Sequence, residues 1–432
     1  MEDTSQRTSL RKAIKLRHAV ALYTSSVLGS GILLLPGLAA LIAGPGSLIA
    51  WIILSLASFP FAFTFASLSA RKPESGGIYA FAKEAFGQRV ATVTGWLFAL
   101  WVVTGAPAVS LIAASYLEYA FPLTRHETLL LASLILVSAF AINYRGIIMS
   151  NKVQLFAVLC VVALLLAVVV SSAFFVRSAA FTPFLPNGFL PVGTAAALIF
   201  WSFLGYENVS NVAEEFENPK RDFRRSIILS VLLISGLYLS VSFVTVGTQA
   251  YRAGGSIAPF AVMLSYILGR YGAAGTAILA VFIIFSTVNA YTIGMSRVFY
   301  AVARDGGFPR AMGHIHPRTR VPDRALIALF ASMIPMIAFY YILNINLETA
   351  LLIPSGAAIL VYIIGSASGI SIFRKEKANG SGWHIPLLPA VSLVISLAVL
   401  PFVGWPVLFS AFASLIGLLY SVWSGNRGAG AE

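Results

Sequence analysis

The feature that most constrains how this chain folds is a repeated one: apolar stretches about 20 residues long recur from end to end, with short polar gaps between them. About 20 helical residues cross the ~30 Å hydrocarbon core of a bilayer. Inside that core a backbone must satisfy its own N–H and C=O groups, which restricts spanning structure to helices and closed barrels. Twelve stretches are readable, at 19–43, 47–70, 91–120, 127–143, 153–176, 192–213, 226–248, 274–302, 325–343, 348–372, 385–402 and 405–423. Of the 432 residues 58% are apolar and 10% charged, too few polar groups to coat a soluble fold. The expected fold class is an all-α membrane protein with twelve transmembrane helices. The first eighteen residues are polar and basic, and the apolar run behind them is one of many, so it reads as a retained span rather than a cleaved secretory signal.

Basic loops are retained in the cytoplasm. With the N-terminus inside, 25 of the 29 Lys and Arg fall on cytoplasmic segments, and only Arg125, Arg177, Arg252 and Arg270 fall outside. That asymmetry puts both termini of a multi-pass plasma (inner) membrane protein in the cytoplasm and requires an even number of spans. It also accounts for the net charge of +13 without a nucleic acid, since the charges sit between apolar runs and not on one water-exposed patch. The single cysteine, Cys160, leaves no intrachain disulfide, and His18, His126, His314, His316 and His384 are scattered, so neither a metal nor another cofactor is expected. Two gaps carry helical patterning of their own: residues 76–87 as an interfacial helix ending in glycine, and residues 254–270 as a short outer helix.

Two of the runs are interrupted where a membrane helix should be regular. The first contains Gly29-Ser30-Gly31 followed by Pro36, whose missing N–H removes the bond to the Ile32 carbonyl. The sixth contains Trp201-Ser202-Phe203-Leu204-Gly205-Tyr206-Glu207-Asn208, about 175 residues further on. Irregular backbone at membrane depth is tolerated only where protein buries it or it lines a wet cavity. Interruptions at matched positions of two five-helix halves point to an inverted-repeat transporter with its site between the breaks. Free amides at a restarted helix suit a carboxylate, and unwound carbonyls suit an ammonium, so a zwitterionic amino acid fits both ends. Either break alone also fits close helix packing. The pair, one with a proline and one with an intramembrane carboxylate, favours a binding site.

These residues resemble a known family. Thr24 to Trp51, the loop Ser75-Gly76-Gly77, Phe200 to Asp222 with its Glu217-Asn218-Pro219-Lys220-Arg221-Asp222, and Ala303-Arg304-Asp305-Gly306-Gly307-Phe308-Pro309 resemble the amino acid–polyamine–organocation transporters. Within that superfamily Thr24 to Gly31 and Leu38 to Gly44 are most similar to bacterial exporters of L-methionine and branched-chain amino acids. The resemblance implies a LeuT-like fold of two inverted five-helix repeats plus two helices, working by alternating access. The parts would be a cytoplasmic tail 1–18, a first repeat 19–176, a second repeat 192–372, two additional helices 385–423 and a cytoplasmic tail 424–432. Carried over by position, the amides of Ser30, Gly31 and Ile32 beside Gly29 would bind the substrate carboxylate. Carbonyls near Val27, Trp201 and Leu204 would bind the ammonium, with Trp201 as a lid. From the residues alone, Trp201 serves equally as interhelical packing or an interfacial anchor.

An ionisable side chain in mid-span is costly unless paired or wet, so Glu207 is read as carrying or sensing a proton, against the alternative of a structural carboxylate held by Tyr or Asn. Some proton-coupled relatives place a lysine inside the fifth helix; here that position falls on Val158, and Lys152 at the cytoplasmic entrance does not replace it. A proton at Glu207 is therefore the expected coupling ion, with simple exchange and sodium near Ser286 and Thr287 as alternatives. Those hydroxyls are weak evidence, because such groups commonly bond to their own i−4 carbonyl. Asn289 on the same run either faces the pocket or joins helices. Arg297, Arg304 and Asp305 are expected to latch the cytoplasmic loops. Trp201, Phe203, Leu204, Gly205 and Tyr206 bring no charge besides that of Glu207, which suits a neutral apolar amino acid. The reading is a secondary active transporter, an exporter or proton antiporter, with an importer or exchanger as the alternative. No nucleophile and base pair supports an intramembrane enzyme.

Overall fold

The structure, a computed structural model, describes residues 10–252, 258–345, 347–378 and 386–429. The first nine residues of the expected N-terminal tail, the start of the expected outer helix, His384 and the last three residues lie outside the described residues. Among the described residues fifteen α-helices follow in order: α1 Leu16–Val27, α2 Ser30–Ala43, α3 Ser47–Arg71, α4 Ile78–Phe86, α5 Gln88–Ala120, α6 Arg125–Tyr144, α7 Ile147–Ala173, α8 Leu190–Ile199, α9 Pro219–Gly247, α10 Pro259–Leu268, α11 Gly272–Arg304, α12 Asp323–Ile342, α13 Leu347–Ala378, α14 Leu387–Val399 and α15 Val407–Ala429. Among the described residues no strand forms; Ile14 with Phe216 and Ser75 with Val212 make isolated backbone bridges.

Eight helical stretches among the described residues are long and apolar enough to cross a membrane. The difference from twelve has physical causes. The run at 19–43 is split into α1 and α2, and the run at 192–213 is α8 followed by short 3-10 turns at Phe200–Phe203, Asn208–Asn211 and Ala213–Glu215. The run at 385–402 has only thirteen residues of α-helix, in α14, and the run at 405–423 is likewise a shorter apolar helix over Val407–Trp423. The expected interfacial segment forms α4, and α10 forms within the expected outer one.

The faces of α7 illustrate the environment each helix meets. Gln154, Val158, Val161, Leu165 and Val168, spaced three or four apart, are buried. Phe156, Leu159, Leu166 and Val170 on the other side are exposed. Exposed apolar surface of this kind is what a lipid-facing helix presents. At the centre α5 and α11, each of 33 residues, pack along one another, and α13 and α15 pack on α5.

On the face carrying the basic loops, the N-terminal segment is tied to the turns that follow α8. The amides of Ala13 and Ile14 both donate to the Glu215 carbonyl at 2.9 Å, and the Glu217 amide donates to the Ile14 carbonyl at 3.1 Å. The Glu215 carboxylate receives Arg297 of α11 through Nε at 2.8 Å and Nη2 at 3.1 Å, with both side chains almost wholly buried. Ser75 Oγ donates to Glu214 at 2.8 Å, and Lys83 of α4 pairs with Asp305 at 2.7 Å. The expected latch thus divides: Arg297 is an interior anchor, and Asp305 holds α4 together with Arg71, which pairs with Glu84 at 2.6 Å.

Removing one partner of a buried ion pair strands the other charge, at a cost of about 3–5 kcal/mol. Arg297→Met is expected to lower the thermal midpoint of the detergent-solubilised protein, and the added change Glu215→Gln to recover most of the loss. A midpoint unchanged by Arg297→Met alone would contradict the anchoring role.

Candidate functional site

The first break is built by local sequence. The Leu28 amide closes the last turn of α1 on the Thr24 carbonyl at 2.8 Å, Gly29 turns extended, and α2 restarts at Ser30. A helix start leaves its first amides without intrahelical partners. In the second break α8 gives way to the turn at Phe200–Phe203, Leu204 is extended, and Gly205 has a φ of +131°.

The two breaks touch, and their glycines are the contact. A Cβ on Gly205 would lie 2.5 Å from the Ser26 carbonyl oxygen, and one on Gly31 would overlap Ser202 Oγ and stand 3.2 Å from the Ser202 Cα. Gly29 is less constrained, since a Cβ there would meet Thr287 at an ordinary 3.5 Å. At this junction lies a cavity of about 70 Å³, room for more than one water-sized group. Its walls include Val27, Gly29, Ser30 and Gly31 from the first break and Trp201, Ser202 and Leu204 from the second. Trp101, Gly105, Ala106 and Val109 of α5 close one side, and Thr287 and Tyr291 of α11 another. Trp201 and Leu204 also border a second, larger cavity of about 800 Å³ lined by apolar residues of α2, α5, α8 and α13. They stand as a septum between the two spaces.

The backbone groups released by the breaks are taken up by side chains from far along the chain. Tyr238 of α9, fully buried and stacked on Trp51, reaches the carbonyls of Val27 at 2.9 Å and Ser202 at 3.0 Å, one from each break. The Val27 carbonyl also accepts from the Gly29 amide at 2.8 Å, so an ammonium there competes with two donors. Thr287 Oγ1 lies 2.9 Å from the Ser25 carbonyl, 3.0 Å from that of Ile283 and 3.4 Å from that of Leu28. The Gly205 amide donates to Glu207 Oε2 and meets Tyr362 Oη, each at 2.9 Å.

Glu207 itself has no exposed surface and does not border the small cavity. Its carboxylate accepts from the Tyr362 hydroxyl at 2.5 Å and from the Tyr291 hydroxyl at 3.2 Å. Tyr291 does border the cavity, so one phenol separates the carboxylate from that space.

Several sequence candidates lie behind the cavity wall. Ile32 is buried, Phe203 packs on Trp51 and Tyr238, and Tyr206 packs against Tyr23. Asn289 does not face the pocket: Asn143 Nδ2 donates to its Oδ1 at 2.9 Å and its Nδ2 donates to Gln154 Oε1 at 2.5 Å. Of the two readings left open for it, the geometry is that of a helix joint between α6, α7 and α11. Gln154 Nε2 meets Ser286 Oγ at 3.0 Å and the Ser286 carbonyl at 3.2 Å, so Ser286 too is engaged away from the cavity. Sequence reasoning passed over Ser202, Tyr238, Tyr291, Tyr362 and the α5 wall. For α5 a signal existed in the small residues Gly105-Ala106 before Pro107, inside an apolar run.

A family model described as amino acid permease matches residues 14–423. An uncharacterized amino acid permease, YecA, of Bacillus subtilis (strain 168) is 34% identical over 97% of this chain and 97% of its own. The L-methionine/branched-chain amino acid exporter YjeH of Escherichia coli (strain K12) is 29% identical over 95% of this chain and 96% of its own. The branched-chain amino acid permease BcaP of Bacillus subtilis (strain 168) is 27% identical over 93% and 90%. The chain belongs to the amino acid permease family, within the amino acid–polyamine–organocation superfamily. It is an integral membrane transporter with an amino acid as its small-molecule substrate, and the family and these relatives are transporters, not enzymes.

The contact between the breaks predicts different outcomes at neighbouring glycines. Gly31→Val, which must displace Ser202, is expected to remove amino acid binding in a ligand-induced thermal-shift assay, whereas Gly29→Ala is expected to bind much as the wild type does. Wild-type binding by Gly31→Val would contradict the close approach.

Proposed function

We propose, from membership in that family, that the chain carries a neutral apolar amino acid across the plasma (inner) membrane by alternating access. The observation that carries this reading is the cavity held between the two helix breaks. The free amides at the start of α2 match a carboxylate, and unwound carbonyls of the second break match an ammonium. Val102, Gly105, Ala106 and Val109 line the rest of the cavity with apolar surface, which favours a methionine or branched-chain side chain over a charged one. The site's ammonium acceptors are the carbonyls of Trp201 and Leu204 more than those of Val27 and Ser202, which already share the Tyr238 hydroxyl.

The frame for this is twelve spans: a repeat at 19–176, its inverted counterpart at 192–372 and two further helices at 385–423, with both termini cytoplasmic. The interrupted α1–α2 and α8 segments are then the matched first helices of the two repeats. In this frame the pair of Glu215 and Arg297 belongs to the cytoplasmic side, and the large apolar cavity lies across Trp201 and Leu204 from the small one.

Glu207 is the proton-sensing group, and Tyr291 connects it to the bound substrate. A sodium ion near Ser286 and Thr287 is the weaker reading, since Gln154 already donates to Ser286 and the single proton of the Thr287 hydroxyl already has three carbonyls within reach. Net direction follows the gradients, and the favoured mode is export or proton antiport.

Two measurements test this in proteoliposomes. Radiolabelled leucine and methionine are expected to show saturable counterflow that responds to an imposed pH difference and is unchanged when choline replaces sodium. Arginine and glutamate are expected to show none, and absence of counterflow for every amino acid would sink the proposal. Glu207→Gln is expected to flatten the pH dependence of flux while retaining leucine binding; an unaltered pH profile would remove Glu207 from coupling.

A further inference from the structure

Arg224 and Arg225, in the second turn of α9, are exposed, and neither has an ion pair or hydrogen bond among the described residues. Several other cations of the basic face are committed within the protein: Arg71 to Glu84 and Glu376, Lys83 to Asp305 and Arg297 to Glu215. The retention of basic residues on one side of a membrane explains where they fall along the chain. It does not explain why these two are turned outward.

Their face of the helix runs on into apolar surface. Arg221, Arg225, Ile228 and Leu232 follow one another at spacings of three or four, and all are exposed. A guanidinium one turn from lipid-facing aliphatic surface sits at the edge of the hydrocarbon, at the level of the lipid phosphates. The neighbouring helix starts add to it. The Glu217 amide donates to the Ile14 carbonyl at 3.1 Å and Asn151 Nδ2 to the Ala13 carbonyl at 3.4 Å, so the starts of α1, α7 and α9 meet at one segment. Lys152 follows Asn151 and is exposed, with exposed Phe156 and Leu159 beyond it, so α7 repeats the order of cation then apolar surface. Between the starts of α1 and α9 lies an open hollow of about 510 Å³ with Lys15, Arg17 and Arg221 among its walls. Its two carboxylates are already answered, Glu217 by Lys15 at 3.8 Å and the buried Asp222 by Arg221 at 2.8 Å. The positive ends of three helix dipoles add to the field there.

We propose that the starts of α1, α7 and α9 form a binding site for an anionic phospholipid of the leaflet that this face meets. Arg224 and Arg225 hold the phosphate, Arg17 and Lys152 flank it, and the acyl chains lie along Ile228, Leu229 and Leu232. A phospholipid matches both halves of the face, whereas a soluble phosphate leaves the aliphatic half uncovered. The site is separate from the cavity between the breaks and does not depend on which amino acid is carried or in which direction.

The test is native mass spectrometry of the full-length protein in detergent, titrated with phosphatidylglycerol or with phosphatidylcholine of the same acyl chains. The wild type is expected to prefer phosphatidylglycerol, and Arg224→Gln with Arg225→Gln to bind it about 10–30-fold more weakly, with phosphatidylcholine little changed. Arg224→Lys with Arg225→Lys is expected to keep most of the preference. Arg310→Gln with Arg318→Gln removes two exposed cations from elsewhere on the basic face and is expected to keep all of it. Without lipid, the thermal midpoint of the first glutamine pair is expected to match the wild type; a lower one would show the arginines to be structural and overturn the inference. Equal loss in both glutamine pairs would show net charge and no site, and a wild type without preference would end the proposal. Displacement of phosphatidylglycerol by an equal concentration of sn-glycerol 3-phosphate would show a soluble-anion site in place of a lipid one.

Discussion

Backbone released inside a membrane protein must find partners inside that protein, and this constraint organises the molecule around the two helix breaks. Lipid offers no donor or acceptor, so each freed N–H or C=O is either paired by a neighbouring side chain or left for a ligand. The Tyr238 hydroxyl is shared between a carbonyl of each break, the Thr287 hydroxyl between carbonyls near the end of α1, and Glu207 with Tyr362 holds the Gly205 amide. The first amides of α2 are the groups these side chains do not reach. The cavity lies where the pairing stops.

The glycines and the tyrosine act as one unit. Gly31 and Gly205 allow the breaks to approach until a side chain on either would collide, and Tyr238 then spans them with a single hydroxyl. Behind them the aromatic rings of Trp51, Tyr238 and Phe203 pack with centroids 5.0 to 6.2 Å apart, which fixes the phenol's position. Substrate held between the breaks is therefore in contact with both helical halves, and any relative movement of the halves must alter its coordination. On the basic face the fully buried pair of Arg297 and Glu215 holds the second break to α11, so opening on that side has to release or carry that pair.

Much of this was legible because its signals are local. Glycine, serine and proline mark a helix break wherever they cluster, and the apolar runs at 47–70 and 127–143 correspond closely to α3 and α6. Partnerships across the fold were not legible in the same way. Tyr238 lies 211 residues from Val27 and Tyr362 lies 155 from Glu207, and one buried tyrosine in an apolar run looks like another. The lining face of α5 depends on how a 33-residue helix is rotated, which sequence periodicity leaves open when nearly every position is apolar. Asn143, Gln154 and Asn289 were visible as polar residues in apolar runs, but only their mutual hydrogen bonds distinguish a helix joint from a pocket wall.

The central claim is that an amino acid backbone is clamped between the two breaks. The most direct measurement is an experimental density map of the protein with bound L-methionine. The account predicts ligand density in the cavity between Gly29–Gly31 and Trp201–Leu204, with its carboxylate within hydrogen-bond distance of the Ser30 and Gly31 amides. Density confined to the larger apolar cavity beyond Trp201, or a carboxylate turned away from the start of α2, would contradict it.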